Sequence, residues 1–253
     1  MLQTRIIPCL LLRNEALVKT VKFDKFRYIG DPLNTCRIFN ELEVDELVFL
    51  DITASRENRL PNFKILQEIT NECFMPLSYG GGIGDVETAE KIFRIGFEKI
   101  VLNTYPFENP AFITELANAF GSQSVVVAID VKKSILWKYQ VYSLSGTINQ
   151  TRNPVEWAKE VEDRGAGEII LTSIDREGTW KGFDIELTAS VAQAVSIPVI
   201  AHGGAGMVDH IREVVKKGHA SSVALGNMVV FQGKDLGVLV NFPEHDELAS
   251  ALR

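Results

Sequence analysis

Three cysteines and four histidines in 253 residues leave little material for a disulfide scaffold or a metal centre. Three cysteines cannot all pair, and Cys9 lies in an apolar run, so the set reads as reduced core thiols of a cytoplasmic protein. No Cys-x-x-Cys occurs, and His202, His210, His219 and His245 lack metal-ligand spacing; neither a metal nor a cofactor is expected. No Gly-x-Ser-x-Gly elbow supports serine-nucleophile chemistry. Apolar stretches all fall short of the ~18 residues of a membrane span, and the N-terminus has no basic segment leading into an apolar one. Basic residues form only isolated pairs, Lys132-Lys133 and Lys216-Lys217, against a net charge of −7. That balance argues against a nucleic-acid groove or an anionic membrane surface.

What the chain does have is a repeat. Glu46-Leu47-Val48-Phe49-Leu50-Asp51-Ile52 returns 122 residues later as Glu168-Ile169-Ile170-Leu171-Thr172-Ser173-Ile174. At the same spacing, Pro76-Leu77-Ser78-Tyr79-Gly80-Gly81-Gly82-Ile83 returns as Pro198-Val199-Ile200-Ala201-His202-Gly203-Gly204-Ala205. Extended backwards, Ile6-Ile7-Pro8-Cys9-Leu10-Leu11 pairs with Val125-Val126-Val127-Ala128-Ile129-Asp130. Asp130 therefore has a leucine, Leu11, as its symmetry mate.

Short apolar runs alternate with amphipathic stretches, the pattern of βα units around a parallel sheet. Strands are predicted near 5–11, 46–51, 75–79, 99–103, 124–130, 168–172, 198–202 and 222–226. Helices are predicted over 32–43, 61–72, 85–96, 109–119, 153–164, 184–195, 207–217 and 234–252. Asp85 suits a helix N-cap, and Gly96 and Gly218 stand where helices should stop. Eight of each, in two matched halves, predict one (β/α)8 TIM barrel over 1–253. The alternative, an open doubly wound sheet, lacks a Gly-x-Gly-x-x-Gly after the first strand. Residues 12–31 read as a long polar loop. Residues 131–152 read as a hairpin, with Leu136–Tyr142 extended and Ser145-Gly146 turning.

Gly80-Gly81-Gly82 and Gly203-Gly204-Ala205-Gly206 follow the third and seventh strands. Such clusters let backbone N–H groups approach an anion, although each also makes sense as a tight turn alone. Asn103-Thr104 after the fourth strand and Gly226-Asn227 after the eighth complete two matched neighbourhoods. Together they suggest a small ligand with a phosphate at each end, lying across the barrel mouth. His202 could contact an anion when protonated, or serve packing alone.

The stretches Asp45–Ser55, Gly121–Asp130 and Gly165–Asp175 closely resemble HisF, the cyclase subunit of imidazole glycerol phosphate synthase. The resemblance runs from Arg5 to about Phe231. It implies a two-phosphate ribonucleotide substrate and ammonia supplied by a HisH-like glutaminase docked on the opposite face. Family chemistry uses aspartates at the ends of strands 1 and 5 as acid and base. Asp130 matches the second; Leu11 occupies the first and cannot move a proton. Glu177 stands for a family aspartate beside Gly178, and His202, Val101 and Asn227 stand at or near serine positions. Lys19, which resembles the family's loop lysine, is retained, as are Asp51, Asn103 and Thr104. At the other end, Arg5, Glu46, Lys99 and Glu168 match the family's charged ring at the entrance of the ammonia passage, and Glu98 resembles a glutaminase contact. Charges at strand starts are routine solubilising residues taken singly. Four of balanced sign on strands 1, 2, 4 and 6 favour a structured ring.

The segment Phe231–Pro243 departs from the usual HisF ending. It resembles HisF-like paralogues of the WbuZ type, associated with sugar amidation and found with an N-acetyl sugar amidotransferase. Three functions stay open on these grounds. One is a histidine-biosynthesis cyclase, disfavoured by Leu11. The second is an ammonia-conducting subunit of a glutamine amidotransferase, its own cyclase activity weak or absent, serving an amino-sugar of surface polysaccharide. The third is a scaffold that only activates its glutaminase.

Overall fold

A computed structural model describes residues 4–253 apart from Ile135 and Trp137. Eight parallel strands close on one another: β1 (Ile6–Arg13), β4 (Leu47–Asp51), β5 (Leu77–Gly80), β6 (Lys99–Leu102), β7 (Val125–Lys133), β10 (Glu168–Ser173), β11 (Val199–His202) and β12 (Ser222–Leu225). Closure runs through Ile6 beside Val223 on one side of β1 and Cys9 beside Val48 on the other. Surrounding helices are α1 (Pro32–Glu41), α2 (Phe63–Glu72), α3 (Val86–Ile95), α4 (Tyr105–Glu108), α5 (Ala111–Phe120), α6 (Pro154–Asp163), α7 (Ile185–Ala192), α8 (Val208–Lys216) and α9 (His245–Leu252). This is the (β/α)8 barrel expected from the repeat. No helix is long and apolar enough to cross a membrane among the described residues.

Helix ends follow local chemistry. Asp85 accepts a hydrogen bond from Thr88 N at 2.6 Å at the start of α3, and Gly96 ends it in the left-handed region. Asp31, Asn62, Asn153 and Asp184 cap α1, α2, α6 and α7 the same way. Each such cap is worth ~1 kcal/mol because it satisfies backbone donors the helix leaves free.

Side-chain alternation along the strands divides the core in two. On β1, Ile6, Leu10 and Leu12 join the layer beneath the helices, whereas Ile7, Cys9 and Leu11 turn into the lumen. The same period sends Val48, Val101, Val126, Ile170, Ile200 and Ala224 inward. Between its two ends the lumen is thus lined by aliphatic side chains and one thiol. The period then fixes which residues meet at each end. Glu46, Lys99 and Glu168 lie two residues before lumen-facing Val48, Val101 and Ile170. Thr172, Asp130 and His202 lie two residues after Ile170, Ala128 and Ile200.

Two expectations are corrected. Residues 12–31 are a β-hairpin rather than a loop: β2 (Ala16–Val21) pairs antiparallel with the extended end of β1 and with β3 (Asp24–Gly30). Asn14, in the left-handed region, makes the tight turn. Polar Lys19 and Thr20 hid the strand, since both are buried. The C-terminal helix covers only His245–Leu252; before it the chain folds back, with Phe231 bridging Val238. Gly233, Gly237 and Pro243 account for this, being the poorest helix formers.

The hairpin after β7 forms from β8 (Tyr139–Ser143) and β9 (Ile148–Asn149), turning at Leu144–Thr147. Its extended run starts later than expected because Leu136 lies in a turn. Trp137, also in that expected run, lies outside the described residues.

Candidate functional site

At the N-terminal end of the barrel, four side chains form a closed ring of ion pairs. Arg5 Nη1 donates to Glu46 at 2.6 Å, and Arg5 Nη2 pairs with Glu168. Lys99 Nζ bridges the same two carboxylates at 3.1 and 3.0 Å. Ser78 Oγ donates to Glu46 at 2.7 Å. Burial works against the Arg5 charge, but Glu168 and Glu46 outweigh it and raise its pKa. Both glutamates are buried. Glu98 is exposed beside the ring, its carboxylate accepting from Leu77 N at 2.6 Å.

At the C-terminal end lies a cavity of about 120 Å³, lined among others by Leu11, Lys19, Asp130, Thr172, Glu177 and His202. Gly81, Gly82, Asn103, Thr104 and Asp51 also reach it. Asn103 Nδ2 donates to Asp130 at 3.2 Å and to Ala128 O at 3.0 Å. Burial pushes the Asp130 carboxyl up to about 7, against hydrogen bonds from Thr172 and Asn103. A carboxyl tuned so close to neutrality can both take and give a proton. Leu11 offers nothing in return; it is buried against Cys9 and Val48 in the apolar lumen cluster.

His202 is buried at the mouth and hydrogen-bonded there. Its Nδ1 lies 3.2 Å from Thr172 Oγ1. Burial, assisted by Lys19, lowers its pKa to about 3. With no anion beside it the imidazole is therefore neutral near pH 7. Lys19 is buried too, its Nζ donating to Cys9 O, and desolvation lowers its pKa. The order Asn103, Asp130, Thr172, His202 makes a polar arc along one side of the mouth.

Asp51 has local work. Its carboxylate accepts from Thr53 N, Ala54 N and Arg59 Nη2 at 3.1, 3.0 and 2.9 Å, holding the loop after β4. The glycine loops are likewise demanded by packing. Gly82 has φ +68° and a Cβ there would sit 2.5 Å from Arg59 O; Gly204 has φ +110° and its Cβ would sit 2.2 Å from Gly182 O. Only glycine tolerates both the angle and the approach.

The two expected phosphate neighbourhoods do not share one cavity. Gly178 and Asn227 line a second cavity of about 340 Å³, meeting the first only at Lys19 and Thr20. Gly203, Gly204 and Gly226 line neither cavity. Gly226 packs behind the mouth, where a Cβ would lie 3.3 Å from Lys19 Nζ.

Glu177 is a residue whose role emerges only in three dimensions. It is buried and accepts from Thr20 Oγ1 at 3.0 Å and Phe23 N at 3.1 Å, while its own carbonyl accepts from Lys22 N. It pins the β2–β3 hairpin over the mouth. Burial raises its pKa, with those hydrogen bonds opposing. A misread loop concealed this partner.

The chain is thus a closed (β/α)8 barrel with a buried carboxyl at one end and a ring of paired charges at the other. A family model described as "Histidine biosynthesis protein" matches residues 5–235. The chain is 48% identical over 248 residues to a Pseudomonas aeruginosa protein carrying the provisional name imidazole glycerol phosphate synthase subunit hisF2, covering 98% of this chain and 99% of that one. It is 45% identical to a Vibrio vulnificus protein provisionally named subunit hisF3, over 100% and 97% of the two chains. With imidazole glycerol phosphate synthase subunit HisF of Alkaliphilus metalliredigens it shares 42% identity over 90% of each. The chain belongs to the HisF family.

Proposed function

We propose that this protein is a HisF-like synthase subunit that docks a HisH-like glutaminase at its N-terminal face and passes ammonia along the barrel. The observation that carries the reading is the closed ring of Arg5, Glu46, Lys99 and Glu168 at the N-terminal end of the barrel. Burying four charges is costly unless each is paired, and a well-packed apolar plug would serve stability as well. Beyond the ring the lumen is apolar, an environment that accepts neutral ammonia and rejects ammonium. At the far end Asp130, Thr172 and His202 meet the incoming molecule with hydrogen-bonding groups.

Cyclase chemistry of its own is disfavoured by Leu11, since losing one acid–base group removes about 10²–10⁴-fold in rate. The product's acceptor is then another molecule. The resemblance of Phe231–Pro243 to sugar-amidation paralogues favours an N-acetyl amino-sugar of surface polysaccharide, amidated with an N-acetyl sugar amidotransferase. The test is a reconstitution with glutaminase and amidotransferase. Lys99→Ala should lower product formed from glutamine and leave product formed from ammonium salt unchanged. Equal loss with both nitrogen sources would remove the passage.

A further inference from the structure

Two of the three thiols meet across a helix–helix contact. Cys36 lies in the middle of α1 and is fully buried. Cys73 ends α2, half-buried and packed against the same core layer. The Cys36 thiol is hydrogen-bonded to Cys73, and this contact, with burial after it, pushes the Cys36 pKa well above the ordinary thiol range. Cys9 belongs to the separate lumen cluster on the other face of the sheet.

The residues beside the two thiols are tied together independently of sulfur. Arg37 donates from Nε and Nη2 to the two carboxylate oxygens of Glu72, each at 2.8 Å. Asn40, one turn further along α1, donates from Nδ2 to Glu72 O and accepts at Oδ1 from Phe74 N at 3.2 Å. The chain is therefore held to α1 on both sides of Cys73, through Glu72 before it and Phe74 after it. A disulfide demands that two sulfurs approach closely without backbone movement, and this clamp keeps the pair side by side in the reduced protein. The two thiols also differ in access: one is sealed in the core and the other open to small solutes, the division a reversible thiol pair needs.

We propose that Cys36 and Cys73 form a reversible disulfide that joins α1 to α2 in the presence of a hydroperoxide. The Cys73 sulfur, the accessible one, attacks the O–O bond; it becomes a sulfenic acid and the first water leaves. The Cys36 sulfur then displaces the hydroxyl from Cys73. The S–S bond forms and the Cys36 proton departs in a second water. Together the two thiols give up two electrons, and hydrogen peroxide is reduced to two waters. A dithiol reductant reverses the step by thiol–disulfide exchange. The pair stands outside the lumen, so this chemistry and ammonia passage can each fail without the other.

The test is exposure of the full chain to hydrogen peroxide, then alkylation in denaturant, thiol titration and peptide mapping without reductant. Two of the three thiols should disappear, Cys9 should remain alkylatable, and the peptides carrying Cys36 and Cys73 should be joined within one chain. The urea midpoint should rise on oxidation and return with dithiothreitol, because the bridge restricts the unfolded chain. Cys73→Ser, at a half-buried position, should keep both remaining thiols through the same treatment. Cys36→Ala should halt Cys73 at the sulfenic acid, trapped as a dimedone adduct. Three thiols intact at millimolar peroxide would overturn the proposal. So would a disulfide between two chains, seen as a dimer without reductant, or Cys73 oxidised beyond the sulfenic acid in the parent while Cys36 stays a thiol.

Discussion

The two ends of the barrel treat buried charge in opposite ways. At the N-terminal end every charge has partners: Arg5 and Lys99 each contact Glu46 and Glu168. At the C-terminal end burial instead moves protons. The Asp130 carboxyl is lifted to about 7, and the His202 imidazole is held neutral with a pKa of about 3. One lumen register produces both, since the same alternation carries Glu46 and Glu168 to the bottom and Thr172, Asp130 and His202 to the top. Pairing leaves no charge of the ring without a partner, whereas the buried Asp130 carboxyl stands where a proton can be taken or given.

The comparison breaks most severely if the ring is opened. Glu46→Ala leaves Arg5 and Lys99 sharing one carboxylate, and should cost about 3–5 kcal/mol in urea unfolding, the usual penalty for orphaning buried charge. A loss below about 1 kcal/mol, the worth of an exposed ion pair, would place the ring in effective contact with water.

Next in size is the pH dependence of the mouth. Asp130 is raised from 3.8 to about 7, so its contribution to stability is full below about pH 4 and is lost as pH climbs through about 7. His202 is depressed from 6.5 to about 3, so its contribution is full above about pH 6.5 and is lost as pH falls towards 3. The two slopes oppose each other between pH 4 and 6.5. Asp130→Asn should therefore unmask stability that rises across that window, and His202→Gln stability that falls, each by about 2–4 kcal/mol. Urea unfolding at three pH values measures this; parallel profiles for both variants and the parent would contradict the assigned burial.

The smallest effect concerns the hairpin. Glu177→Ala should cost about 1–3 kcal/mol by freeing the Thr20 hydroxyl and the Phe23 amide. Amide exchange across 16–30 should rise at the same time. Unchanged exchange there would mean that Glu177 does not hold the hairpin.

The barrel was legible because period-2 apolar runs and a halved repeat report topology directly. The charged ring was legible through the match of Arg5, Glu46, Lys99 and Glu168 to the HisF pattern, supported by the convergence of strand starts at the barrel bottom. What stayed hidden depended on burial that polar sequence does not announce. Lys19 and Thr20 read as loop residues because their composition is polar, yet the hairpin covers them. His202 could be weighed only once its surroundings were known; in water it would titrate near 6.5, and here desolvation decides. The absence of the second glycine neighbourhood from the mouth cavity was equally invisible, since sequence symmetry carries no information on which loops a hairpin will wall off.

On the proposed function, the mouth lacks cyclase chemistry of its own while the barrel below it is intact. Turnover of the family's two-phosphate ribonucleotide substrate with ammonium salt tests this most directly, beside the HisF subunit of Alkaliphilus metalliredigens as reference. The expected rate is at least about 10²-fold below the reference, the cost of one missing acid–base group. A rate within a few fold of the reference would contradict it, because Leu11 would then stand at a position the chemistry does not need.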